Sequence, residues 1–142
     1  MENTRKKRTR TDYVIVHCTA TPAGRDVRRA DVDRYHRSLG YDGIGYHYLV
    51  RLDGMIEPGR LDWEVGAHCR GLNDCSIGVA YVGGLDADGR PADTRTKGQR
   101  LALLAIMRDL RRRYPNVKIR GHRDFAAKAC PSFDATAEYA EI

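Results

Sequence analysis

The amino-acid sequence predicts a single α/β domain with a central mixed β-sheet flanked by helices. Its 142 residues are enough for one domain with a hydrophobic core of its own. Short apolar runs typical of buried strands alternate along the chain with segments of helical periodicity, which is the pattern of an α/β protein. An Asp53-Gly54 pair inside a strand-like run predicts one antiparallel hairpin, so the sheet is expected to be mixed.

The first half of the chain is expected to form a strand, a helix and the hairpin. Residues 13–18 (YVIVHC) are β-branched and aromatic, as in a buried strand, and residues 19–24 form a loop. Residues 26–39 have the spacing of an amphipathic helix that ends at Gly40. The hairpin follows over residues 46–59. The expected apolar face of the helix consists of Val27, Ala30, Tyr35 and Leu39, with His36 at the surface.

The second half adds two strands and a longer helix. Residues 75–84 are an apolar strand, residues 86–96 a polar surface loop, residues 98–114 a helix, and residues 117–122 a last short strand. The helix carries apolar residues at steps of three and four, which predicts its buried face. These residues are Leu101, Leu104, Met107, Leu110 and Tyr114.

The positive charge of the chain is concentrated at its start. The net charge is +6, and residues 1–10 hold five basic side chains and one acidic, a net +4. We therefore predict a basic, disordered tail over residues 1–11 and a folded domain over residues 12–142. Charge in a tail is weak support for a nucleic-acid groove.

No apolar run reaches the ~18 residues of a membrane span, and no apolar region follows the basic start, so we expect neither a span nor a signal peptide.

Two histidines and a cysteine are candidate metal ligands. His17 ends the first predicted strand and His122 follows the last; if these strands are parallel neighbours, both side chains meet at one edge of the sheet. Cys130 follows eight residues later. Two imidazoles and a thiolate leave one tetrahedral position open, as in catalytic zinc sites. Spacing alone also leaves a structural role open for each residue. Of the other cysteines, Cys18 is expected to be a packed thiol. Cys69 and Cys75 are expected to be free thiols, buried or partly exposed; the alternative is that they pair or form a second metal site with His68.

Four stretches of the sequence carry a resemblance to a known family. VIVHCTAT, GYHYLVRLDG, GAHCRGLNDCSIGV, and GHRDF followed by KACPSFD resemble the zinc-dependent N-acetylmuramoyl-L-alanine amidases of the phage-lysozyme type. That superfamily also includes the peptidoglycan recognition proteins. The motifs follow the family's order over residues 12–134, so residues 12–142 are expected to be an amidase domain. The resemblance implies Zn²⁺ as cofactor and peptidoglycan as substrate, cut between N-acetylmuramic acid and L-alanine.

The resemblance also implies roles for individual residues. His17, His122 and Cys130 match the zinc ligands, and Tyr46 and Lys128 match the two catalytic side chains. Three further residues are weaker candidates for contact with the substrate, namely His68 in GAHC, Asn73 in GLND and Trp63, for which a core role is an equal alternative.

Amide hydrolysis explains why these residue types are needed. Zinc brings the pKa of a bound water from about 15.7 towards roughly 7. The Lys128 ammonium is suited to the oxygen that becomes negative in the tetrahedral intermediate. Either Tyr46 or the zinc hydroxide is a candidate for the base. Each ligating histidine also needs a hydrogen-bond acceptor for its second ring nitrogen, and the sequence does not identify these acceptors.

The leading functional prediction is a phage or prophage endolysin that stays in the cytoplasm until it is released to the cell wall. We expect a monomer whose partner is peptidoglycan and not nucleic acid. Two alternatives remain: a non-catalytic peptidoglycan-binding module, and a regulatory protein that binds nucleic acid or a polymerase through the basic tail. The stem-peptide preference and the host stay open.

Overall fold

A computed structural model describes residues 5–142 of the chain. The described residues form seven strands: β1 Tyr13–Cys18, β2 Thr21–Pro22, β3 Tyr48–Val50, β4 Ile56–Pro58, β5 Ser76–Tyr81, β6 Gly84–Leu85 and β7 Lys118–Gly121. They also form three α-helices: α1 Arg29–Ser38, α2 Lys97–Arg113 and α3 Ala135–Glu138. No helix among these residues is both long enough and apolar enough to cross a membrane.

The central sheet is mixed, as predicted, and has the strand order β4-β3-β5-β1-β7. β1 is parallel to both of its neighbours, β5 and β7, whereas β3 and β4 form the antiparallel hairpin. The two-residue strands β2 and β6 pair separately; β2 lies where the sequence predicted a loop, and β6 begins at the last residue of the predicted strand 75–84. The parallel pairing of β1 with β7 matters most for function, because it brings the carboxyl ends of both strands to the same edge.

Helices cover both faces of the sheet, and alternate residues of β1 point to opposite sides. Val14, Val16 and Cys18 lie on the side covered by α2 and α3, in the larger apolar cluster. A smaller cluster on the other side includes Val32 of α1 and Leu49 of β3. Burial of His17 on this second side follows from its place between Val16 and Cys18 in the strand.

Helix α1 is shorter than predicted and buries a different face. Arg28 is its N-cap, and the Arg28 backbone N–H donates to the Asp31 carboxylate at 2.9 Å, so residues 26–28 precede the helix. Tyr35 and Leu39 were expected in the core but are 61% and 52% exposed. His36 was expected at the surface and is instead buried, because its Nδ1 accepts the backbone N–H of Gly45 at 2.8 Å.

Helix α2 confirms the predicted element but not its whole buried face. Thr96 and Gln99 form a reciprocal capping box at its start. Leu101 is 61% exposed, which contradicts its predicted place in the core. The apolar residues that the helix buries are Leu103, Ile106, Met107 and Leu110.

The N-terminal segment over residues 5–11 packs against the domain, whereas the sequence predicted a disordered tail. The Arg8 backbone N–H donates to the Trp63 carbonyl at 2.7 Å, and the Lys6 carbonyl accepts from Val65 at 2.8 Å. The Arg5 guanidinium lies 3.2 Å from the Asp42 carboxylate. These contacts combine backbone pairing with charge complementarity. The first four residues of the predicted tail lie outside the described residues.

Candidate metal centre and active site

Three side chains with metal-binding atoms converge at the carboxyl edge of β1 and β7. The β1–β7 register pairs Val16 with Gly121, so His17 in β1 and His122, the first residue after β7, come side by side. One ligand atom each from His17, His122 and Cys130 lies within 4.8 Å of the others. Cys130 Sγ is 3.8 Å from His17 Nδ1, close to the ~3.5 Å that bond lengths imply for N and S ligands of one tetrahedral zinc. The structure therefore brings together the three residues that the sequence singled out.

Backbone hydrogen bonds hold Cys130 against both histidine-bearing segments. The N–H of Cys18, the residue after His17, donates to Cys130 Sγ at 3.2 Å. The N–H of Arg123, the residue after His122, donates to the Cys130 carbonyl at 2.7 Å. Each histidine is thus followed by a backbone donor to the cysteine.

Both candidate histidine ligands are held in their neutral form. Burial, followed by the neighbouring His68, lowers the pKa of His17 well below its ordinary value. Burial and the positive charge of Lys128 likewise lower the pKa of His122. A neutral imidazole is the form that binds a metal ion, so the electrostatics of the site favour ligation.

The Cys130 thiol faces opposing influences. A hydrogen bond with the Cys18 thiol and then burial raise its pKa, whereas the Cys18 backbone N–H and the Lys128 charge act in the other direction. A thiol with a raised pKa gives up its proton only in exchange for a strong cationic partner. Cys18, Cys69 and Cys75 are buried free thiols, as predicted.

Tyr46 lies against the candidate metal centre. Its ring centroid is 5.1 Å from that of His17 and 5.1 Å from that of His36, which supports it from behind. Burial raises the pKa of the Tyr46 hydroxyl, so at neutral pH this group carries its proton. Tyr46 is therefore a hydrogen-bond donor in this site.

A cavity of about 480 Å³ opens beside Tyr46. Its walls include the hydroxyl and aromatic side chains of Thr19, Thr21, Tyr35 and Tyr46, together with one cationic and two anionic side chains, Arg25, Asp26 and Asp31. Its volume is that of a small-ligand pocket, and Tyr46 connects it with the candidate ligand His17.

Lys128 is exposed, on the loop that leads to Cys130. Its positive charge contributes to the lowered pKa values of His17 and His122, so Lys128 acts electrostatically on both candidate histidine ligands. Tyr81 and Ser132 anchor the other end of this loop: the Tyr81 hydroxyl donates to the Pro131 carbonyl at 2.6 Å, and the Ser132 hydroxyl donates to Gly84 at 3.1 Å.

The three weaker substrate candidates make contacts within the protein. His68 Nδ1 is 2.8 Å from His17 Nε2. Asn73 Oδ1 accepts the backbone N–H groups of His68 and Cys69 at 2.8 and 2.9 Å. Trp63 is 40% exposed, and the Lys7 ammonium lies 5.6 Å from its ring centroid. Sequence reasoning missed His36, whose burial depends on a tertiary contact with no local signal.

The arrangement defines a class of protein: an α/β domain with a candidate His-His-Cys metal centre at the edge of its sheet and a cavity that Tyr46 lines. Residues 7–133 match the N-acetylmuramoyl-L-alanine amidase family. The chain belongs to this family.

Individual relatives agree with the family match. The endolysin of Enterobacteria phage K11 is 44% identical over 128 residues, which cover 90% of this chain and 85% of that protein. The endolysin of Escherichia phage T7 is 38% identical over 129 residues, covering 91% and 85%. The Ph2119 endolysin from a Thermus scotoductus bacteriophage has a similar structure, with a TM-score of 0.82 and 26% identity over 99% of this chain and 90% of that one. The predicted fold class and enzyme class, a peptidoglycan amidase of the endolysin type, are confirmed.

Proposed function

We propose that this chain is a zinc-dependent amidase that hydrolyses the bond between N-acetylmuramic acid and the L-alanine of the stem peptide. One observation carries the proposal. His17, His122 and Cys130 come from three separate parts of the chain, and one ligand atom of each lies within 4.8 Å of the others. Two neutral imidazoles and one thiolate are a donor set that zinc takes in catalytic sites, where a fourth position stays open for water or substrate. The 3.8 Å between Cys130 Sγ and His17 Nδ1 fits that ion.

When bound, zinc supplies a water of lowered pKa and a Lewis acid for the scissile carbonyl. Lys128 offers a mobile ammonium to the oxygen that becomes negative as the carbonyl is attacked. Burial keeps the Tyr46 hydroxyl protonated, and its ring lies against His17, so Tyr46 can donate a hydrogen bond to a group bound at the centre. The cleft beside Tyr46 takes the stem peptide.

A digestion assay tests the reaction. Purified peptidoglycan is incubated with the full chain, with and without a chelator, and new amino termini and reducing sugar ends are counted separately. We expect new L-alanine amino groups without reducing ends, loss of activity with EDTA, and recovery when zinc is added. New reducing ends would indicate a glycosidase instead. Sedimentation with the wall without any new ends would support the alternative of a binding module.

The biological setting follows from the same proposal. The enzyme, as a monomer, stays in the cytoplasm of an infected cell and reaches the wall when the inner membrane is opened. Cells that express the chain are expected to lyse only after the inner membrane is permeabilised, and lysis of intact cells would contradict this route.

A further inference from the structure

A chain of three hydrogen bonds runs from His17 into the protein. His17 Nε2 is 2.8 Å from His68 Nδ1, and His68 Nε2 is 3.2 Å from the Ser76 hydroxyl oxygen. The Ser76 hydroxyl donates to the Leu72 carbonyl at 2.6 Å. This relay leads away from Cys130, which lies on the Nδ1 side of His17.

The last bond fixes the direction of the others. A carbonyl oxygen only accepts, so the Ser76 proton goes to Leu72, and Ser76 Oγ accepts from the Nε2–H of His68. His68 Nδ1 then carries no proton and accepts from the Nε2–H of His17. His17 Nδ1 is left with its lone pair free, and this is the nitrogen that faces Cys130.

The His68 ring packs closely against two glycines, Gly66 and Gly78. A Cβ atom built on Gly66 would lie 2.6 Å from His68 Cδ2, and one built on Gly78 would lie 2.6 Å from His68 Cγ. Both distances are far below ordinary contact, so the imidazole occupies space that only glycine leaves at these two positions. The Asn73 side chain accepts the His68 backbone N–H at 2.8 Å and fixes the main chain as well.

We propose that His68 is a positioning residue of the metal centre, which fixes the tautomer and orientation of His17 through the relay to Ser76. This inference rests on the proposed metal binding, and it replaces the expected contact of His68 with substrate. Partners of this kind raise the affinity of a histidine for metal because the ligand nitrogen is already deprotonated and correctly aimed. A neutral imidazole does this without adding the negative charge that a carboxylate would bring to the centre.

Two variants of similar shape test the relay. His68→Asn keeps an acceptor oxygen near the position of Nδ1, whereas His68→Leu fills the same volume without one. Zinc affinity is measured on the full chain by competition with a chromophoric chelator, and the Co²⁺ absorption spectrum reports the ligand geometry. We expect a ~10–100-fold loss of zinc affinity in His68→Leu and a smaller loss in His68→Asn. Ser76→Ala keeps the ring and serves as a milder variant in case His68→Leu does not fold. It should lower the zinc affinity a few-fold.

The outcomes separate this inference from the proposed function. If the wild-type chain binds no zinc, the metal centre and the relay both fail. If the wild type binds zinc and His68→Leu binds it equally well, only the relay fails, whatever happens to thermal stability. An unchanged zinc affinity with a raised KM for a soluble muropeptide would return His68 to the substrate groove.

Discussion

The space around His68 gives the sharpest prediction for stability. Gly78 lies in β5 and pairs with Ile15 of β1. An alanine there would place its Cβ 2.6 Å from His68 Cγ and 2.7 Å from Nδ1, whereas ordinary contact begins at 3.4 Å, so the ring must retreat by about 0.8 Å. Gly66 also lies against the ring, near Cδ2. A shift of this size would stretch the 2.8 Å bond to His17 beyond hydrogen-bonding distance.

We therefore expect Gly78→Ala to lower the free energy of unfolding of the metal-free protein by about 1–3 kcal/mol, the usual range for overpacking. Zinc affinity should fall as well, because His17 loses its acceptor. Urea denaturation monitored by circular dichroism gives the first quantity, and chelator competition gives the second.

The control is the same substitution in a His68→Ala background. Removal of the imidazole leaves room for the new methyl group, so Gly78→Ala should cost much less there, and the double-mutant cycle should show a coupling above ~0.5 kcal/mol. An equal cost in both backgrounds, or no cost in the wild type, would refute the steric reasoning.

Three further predictions concern a candidate ligand, the lysine proposed to be catalytic, and the ion pairs of a buried arginine. Cys130→Ala should lose zinc and wall hydrolysis together, as measured by metal analysis and turbidity, because two protein ligands remain. Lys128→Met should keep zinc and fold stability, since the side chain is exposed, but lower kcat by on the order of 10²–10³. Arg95 hydrogen-bonds and thereby lowers the pKa of both Asp93 and Glu138, so these carboxylates stabilise the fold above about pH 4 and lose that effect as the pH falls. Glu138→Gln should cost about 1 kcal/mol at pH 7 and less near pH 3 in urea titrations.

Each of these has a result that would count against it. A metal-free Cys130→Ala protein with full activity would remove the metal from the reaction. Loss of zinc in Lys128→Met would mean that the lysine supports the centre and not the oxyanion. A cost of Glu138→Gln that stays constant between pH 7 and pH 3 would show that the charge of Glu138 does not contribute.

The strands and turns that depend only on residues adjacent in the sequence were predicted correctly. The apolar run at residues 13–18 became β1 with the predicted bounds, and the Asp53-Gly54 turn joins β3 to β4. The bounds of α1 were wrong because a capping interaction between Arg28 and Asp31 competes with the apolar spacing. The burial of His36 was missed because its partner, the Gly45 N–H, comes from another loop.

The disorder predicted for the basic N-terminal segment also depended on contacts with distant residues. A run of basic residues predicts disorder only when no complementary surface exists, and here Arg5 lies near Asp42 and the chain also pairs through its backbone with residues 63–65. The acidic partners lie more than 35 residues further along the chain. The net charge of the chain shows neither where acidic side chains lie in the fold nor which backbone groups of residues 63–65 are available for pairing.

The position of Cys130 beside the two histidines depends on backbone hydrogen bonds, which a pattern of side chains in the sequence does not show. Cys18 and Arg123 follow the two histidines, and their backbone N–H groups both donate to Cys130. Because any residue except proline supplies such a donor, the positions after His17 and His122 need not keep a particular side chain. The three ligands are specified by their own identities and by the parallel register of β1 with β7. His68 differs in this respect, since its proposed role requires a ring nitrogen, space beside two glycines and a hydroxyl at Ser76. GAHC and SIG therefore form one structural unit with His17, although the sequence separates them from it by about fifty residues.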